Sequence, residues 1–116
     1  MLMALDDRQL EQGCVRASRS WKPACSFMEG TAIALAGLMT RPVPGALHVD
    51  SNAEEGHDFA QIAQALKQAF GRVAWDIRAT EDYVHDQRLS GGAAMVPPLS
   101  ARLRSIAGAR AARGDA

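Results

Sequence analysis

Several things are scarce in this sequence, and each shortage removes a class of protein. There are two cysteines in 116 residues, Cys14 and Cys25, too few for a disulfide framework. No apolar run reaches the ~20 residues that span a bilayer. The longest candidate, residues 32–39, is short and bracketed by Glu29 and Arg41. The first residues, Met-Leu-Met-Ala-Leu-Asp-Asp, lack the basic segment and apolar stretch of a secretory signal. Net charge is zero, with 13 basic and 13 acidic side chains, which argues against a basic nucleic-acid coat and an acidic tail. There is no Gly-x-Ser-x-Gly elbow and no Gly-x-x-x-x-Gly-Lys phosphate loop. The expectation is a cytoplasmic protein with reduced cysteines, no membrane partner and no cofactor.

β-branched residues are also few. Valine, isoleucine and threonine total 13, against 22 alanines. Alanine loses no side-chain entropy in a helix, whereas β-branched side chains suit pleated surfaces. The balance predicts a mainly α fold: a compact bundle of four to five helices, with room for one short strand pair. An α+β fold is the alternative. The expected division is a helical domain over residues 1–95 and a basic C-terminal helix over 96–116, fraying after Ala109.

Five helical segments can be read. The first, 7–20, carries Leu10, Cys14, Ala17 and Trp21 at helical spacing, with Asp6 and Gln9 as a capping box. The second, 23–40, opens on Pro23, has Ser26 and Glu29 as a capping box, and is apolar on every side. Such a helix is expected to be buried. Its small residues Gly30, Ala34 and Gly37 would admit a close neighbour, internal or in a homodimer. In the third, Phe59, Ile62, Ala63, Leu66, Ala69 and Phe70 form one stripe, Gly71 stops the helix, and Ser51 with Glu54 offers a cap. Residues 72–89 fit both periods and are read as helix. In the strand alternative, 73–78 pairs with 46–49. A last helix follows Pro97-Pro98, with Leu99, Leu103 and Ile106 on one side.

Charge is uneven. Residues 48–86 hold eight acids and three bases, and residues 96–116 hold four arginines and one acid. Three functional readings follow. The first is a regulatory or inhibitory protein that binds another macromolecule, most naturally a protein. It would use an acidic surface of Glu54, Glu55, Asp58, Glu81 and Asp82, with Trp75 as an exposed aromatic anchor. The second is a DNA-binding regulator. The apolar spacing of Ile62, Ala63, Leu66, Val73 and Ile77 resembles a helix-turn-helix unit over residues 59–78. That resemblance implies a recognition helix presenting Arg72 and Arg78; outside it, the C-terminal arginines Arg102 and Arg104 are further candidates for phosphate contact. The turn departs from the pattern, with Lys67 and Gln68 at its usual small and apolar positions. The third is a metal-dependent hydrolase. All three histidines lie one or two residues from an acid, so His48, Asp50, His57, Asp58 and His85 are candidate ligands. The dipeptides at 57–58 and 85–86 are all that resembles the His-Asp phosphohydrolases.

Overall fold

A computed structural model describes residues 1–42, 45, 47–89 and 93–113. Among the described residues four helices and six short strands follow one another: α1 Leu2–Gln12, β1 Val15–Ser18, β2 Trp21–Lys22, α2 Met28–Thr40, β3 Leu47–His48, α3 Phe59–Phe70, β4 Ile77–Thr80, β5 His85–Asp86, β6 Ala93–Ala94 and α4 Leu99–Ala112. The content is mixed α/β, and the expected helix bundle is corrected accordingly. No helix among the described residues is long and apolar enough to cross a membrane.

Every strand pairing is parallel: β1 with β4, β2 with β5 and β3 with β6. The first two pairings join into two runs of chain lying side by side. Between the paired strands one run spends two residues, Arg19 and Ser20, and the other spends four, Glu81 to Val84. The surplus is taken up in a turn where Tyr83 adopts φ 54. Parallel neighbours need a long crossover, and here it contains α2 and α3.

The core forms where α1, β1, α3 and α4 meet. Leu5, Val15, Ala17, Phe59, Ile62, Ala63, Leu66, Trp75 and Leu99 are buried together. The stripe read on α3 is its buried face, and Phe70 packs against the edge of this cluster. Asp58 and Gln61 form the capping box of α3, so Ser51 and Glu54 do not. Gly71 ends the helix at φ 65, a left-handed position open to glycine at little cost. Trp75 follows in the turn and is buried. Its indole Nε1 donates to Asp6 Oδ1 at 2.8 Å, and Arg72 Nε lies 3.2 Å from the same oxygen. The aromatic anchor is therefore a core residue.

Two more helix expectations are overturned. Gly13 closes α1 at φ 72, and residues 15–18 become a strand with Val15 and Ala17 inward and Arg16 outward. Leu10, assigned to the core stripe, is exposed, while Cys14 is buried. Asp6 lies inside α1, where the N-cap is Met1. Residues 77–80 and 85–86 are strands, so α3 is not followed by a recognition helix and the helix-turn-helix geometry is absent. Period-two alternation wins because Val15–Ser18 offers a buried partner of the same length. The strand at Leu47–His48 does exist, but it pairs with Ala93–Ala94 rather than with 73–78.

Candidate functional site

The residues nominated from sequence are mostly engaged within the fold. Glu55 accepts a hydrogen bond from Ser100 N at 3.0 Å, and its other oxygen lies 3.5 Å from His57 Nε2. It thereby caps α4, whose own N-cap Pro98 supplies no side-chain bond. Burial alone would raise the Glu55 carboxyl. The hydrogen bonds from Ser100 and the neighbouring His57 outweigh it and hold the group below its ordinary value. Asp58 caps α3. Glu81 pairs with Arg19 at 2.8 Å, and Asp82 accepts from the Thr80 hydroxyl. Glu54 is exposed.

The candidate metal ligands do not gather. Among the described residues no group of three or more His, Cys, Asp or Glu is placed to hold an ion. Asp50 is buried and committed: Oδ1 accepts from Cys25 N and Asn52 N, and Oδ2 accepts from Leu89 N. Asn52, wholly buried, continues this latch. Its amide nitrogen donates to the Pro23 and His57 carbonyls, and its oxygen accepts from His57 N. His48 Nδ1 accepts from Asp50 N at 3.3 Å. His85 sits edge-on to the Tyr83 ring. Cys25 is pushed up to about 11 by burial and by Asp50, so its thiol stays protonated near neutral pH.

The arginines also divide. Arg72 serves Asp6, and Arg78 pairs with Asp76 at 2.9 Å. Arg102 pairs with Glu29 at 2.7 Å across to α2. Arg110 donates to the last carbonyls of α3, at Gln68 and Ala69. α4 continues past Ala109 to Ala112. Arg104 is exposed.

The feature that sequence reading placed wrongly is α2. It begins at Met28 rather than at residue 23, with Phe27 as an N-cap that makes no side-chain bond. Ser26 pairs with Thr31 instead of closing a capping box. The helix was expected inside, yet Ala34 is its one buried residue. Met28 is 87% exposed, Ile33 66%, Leu35 53% and Met39 87%. Apolar clefts of about 260 and about 300 Å³ flank its N-terminal half. The first runs between α2 and the Met95–Pro97 segment. The second opens toward Ile62, Leu66 and Phe70 of α3.

The exposed apolar residues of α2 have an order. Met28, Ala32, Leu35 and Met39 recur at steps of four, three and four, the spacing of a two-helix seam. The seam carries no charge. Glu29 stands at one end of the helix and Arg41 just past the other. Gly30 faces inward, where an added Cβ would lie 3.8 Å from Val96 Cγ1, and Gly37 faces open space. A charge-free surface of this kind is unusual on a lone chain. The sequence held this signal in its four-three-four spacing, which the all-round hydrophobicity of the segment hid. The chain matches no family model, no curated protein and no solved structure.

Proposed function

We propose that this chain is a protein-binding module whose contact surface is the outer seam of α2, and that a second copy of the chain occupies it. The observation that carries the reading is the exposure of an uncharged seam at Met28, Ala32, Leu35 and Met39. Antiparallel pairing about a two-fold axis sets each Met28 against the partner's Met39 and each Ala32 against the partner's Leu35. The small Ala32 then meets Leu35, methionine meets methionine, and no charge is buried. The same pairing brings each Glu29, which also pairs with Arg102 of its own chain, within three residues, about 4.5 Å of helix rise, of the partner's Arg41. Parallel pairing would instead stack like charges. Self-complementarity of this kind is what an isologous two-fold interface requires.

The chain's proportions support the reading. Its radius of gyration is 15.6 Å, against about 13 Å for a compact domain of this length. The macromolecule-binding role read from the sequence is thus kept, but moved from the acids to α2. Glu55, Asp58 and Glu81 already serve caps and an ion pair inside one chain.

A seam of three helical turns is small, and interfaces of this size are weak and exchange quickly. Sedimentation velocity over a range of concentrations tests the proposal. A monomer–dimer equilibrium is expected, with dissociation constant above about 1 µM. Leu35→Glu, at an exposed position, is expected to give a folded monomer throughout. A wild-type chain that stays monomeric at every concentration overturns the second copy as occupant. A dimer that survives Leu35→Glu unchanged overturns the seam.

A further inference from the structure

A second site stands where β1 and β4 end together. Ser18 and Thr80, the last residues of the two strands, are partners in register. Both line a cavity of about 320 Å³, within the ~300–1,000 Å³ range of small-molecule sites. In parallel sheets, ligands settle outside the carboxyl ends of the strands, where the chains diverge. Here the divergence is the four-residue turn that carries Tyr83, the one non-glycine residue with positive φ among those described. That turn is fastened down. The Ser18 hydroxyl donates to the backbone carbonyls of Asp82 and Tyr83, and the Thr80 hydroxyl donates to the Asp82 carboxylate.

The chemistry of the cavity changes along the strands. Two residues before Ser18 comes Arg16, about 7 Å away on the same side of β1. Arg8 of α1 also lines the cavity, and neither arginine has an ion-pair or hydrogen-bond partner among the described residues. Arg16 is in register with Arg78, which is neutralised by Asp76. Beyond the strand ends the lining turns aromatic. Trp21 lies against Phe59 with the rings tilted by 40° and centroids 4.6 Å apart, and it meets Tyr83 edge-on at 5.1 Å. The Tyr83 ring is itself mostly exposed. Between the two ends, Asp82 offers a carboxylate oxygen to a donor.

We propose that this cavity binds a small organic phosphate carrying a flat ring, with a nucleoside monophosphate as the representative ligand. The guanidinium groups of Arg8 and Arg16 take the phosphate through charge-assisted hydrogen bonds. The ring lies against Tyr83, since every base has a π face and stacking tolerates sequence. Asp82 accepts from a sugar hydroxyl or ring N–H, and its charge turns the phosphate toward the arginines. The site is independent of the α2 seam and contributes no residue to it.

Calorimetry with adenosine monophosphate, adenosine and inorganic phosphate tests the proposal, with Trp21 fluorescence as a second readout. The monophosphate is expected to bind saturably with a dissociation constant below about 1 mM. Replacing both arginines, Arg8→Gln with Arg16→Gln, is expected to weaken it by at least ~10-fold while leaving adenosine unchanged. Tyr83→Asn keeps a residue that tolerates positive φ and is expected to weaken both adenosine and its monophosphate. Three results would each overturn the proposal: no saturable binding of the monophosphate, equal affinity in the arginine double variant, or phosphate alone binding as tightly as the monophosphate.

Discussion

α2 and α3 are near neighbours in length, 13 and 12 residues, and α2 is the more apolar of the two. Yet α3 is the centre of the core and α2 stands largely outside it. The difference lies in how apolar residues are distributed around each helix. α3 gathers Phe59, Ile62, Ala63, Leu66 and Ala69 on one side and gives its glutamines to water. One face can then be buried against β1 and β4 while the other is solvated. α2 has no polar face to give to water, and a chain of 116 residues lacks the volume to enclose a second helix completely. Burial follows from sidedness more than from total hydrophobicity. What is left exposed on α2 becomes available to another molecule.

The widest separation between the two helices is expected in their stability. Ile62→Ala removes a fully packed side chain from the core and is expected to cost about 2–5 kcal/mol. Leu35→Ala, at an exposed position of α2, is expected to stay within about 0.5 kcal/mol when the chain is dilute enough to be monomeric. Urea unfolding of both variants at low concentration checks the pair. Equal losses would mean that α2 is as much a part of the core as α3.

The same contrast explains what was legible in the sequence. The α3 stripe and its Gly71 stop were readable because the helix buries one face and follows local rules. α4 was readable from Pro97-Pro98 and from Leu99, its one buried residue, because its start follows local rules. The strands were not, because a strand of two to four residues gives little period, and its partner lies more than 45 residues away. Val73, Trp75 and Ile77 alternate as a strand does, but Val73, Ile77, Thr80 and Val84 also fit a helical stripe. Only the pairing of Ile77 with Val15 decides between them. Trp75 looked exposed on the helical reading, and its burial depends on Asp6, on another element, accepting a hydrogen bond from the indole N–H. The metal reading failed for a related reason. Asp50 looks like a ligand in sequence, while three backbone N–H groups from distant segments consume its oxygens. Acidic residues one to three positions from a histidine are common where loops and helix starts need acceptors. The pocket at Ser18 and Thr80 had no sequence signature at all, since it is assembled from α1, β1 and the turn after β4.

The well-packed half is also held by polar groups that titrate. Glu55 has a folded-state value below the ordinary 4.5, because the charged form caps α4 through Ser100 N. A lowered carboxyl contributes stability that is present above the unfolded value and is lost as pH falls through the folded one. Glu55→Ala is therefore expected to cost about 1 kcal/mol near neutral pH, as for other lost helix caps. The gap from wild type should narrow as pH drops below about 4.5. Denaturant midpoints measured across that range check both the size and the sign. A gap that widens on acidification would place the carboxylate in a destabilising role and remove the cap from the account.

The smallest effect bears most directly on whether the two helices behave as one unit. Gly37 lies in the middle of α2, off the seam, with nothing within 4 Å of the position an added Cβ would take. Glycine inside a helix costs about 0.8–1.0 kcal/mol relative to alanine, so Gly37→Ala is expected to strengthen α2 by close to that amount. The helix buries one residue, Ala34, and is tied to α4 by the exposed Glu29–Arg102 ion pair. A segment with few buried contacts opens without waiting for global unfolding. Amide exchange in α2 should therefore slow by about 4-fold, while the global unfolding midpoint stays where it was. If the midpoint rises together with the protection, α2 unfolds with the core. Its exposed seam is then a fixed shelf presented by the fold, and not a helix that firms up when its partner arrives.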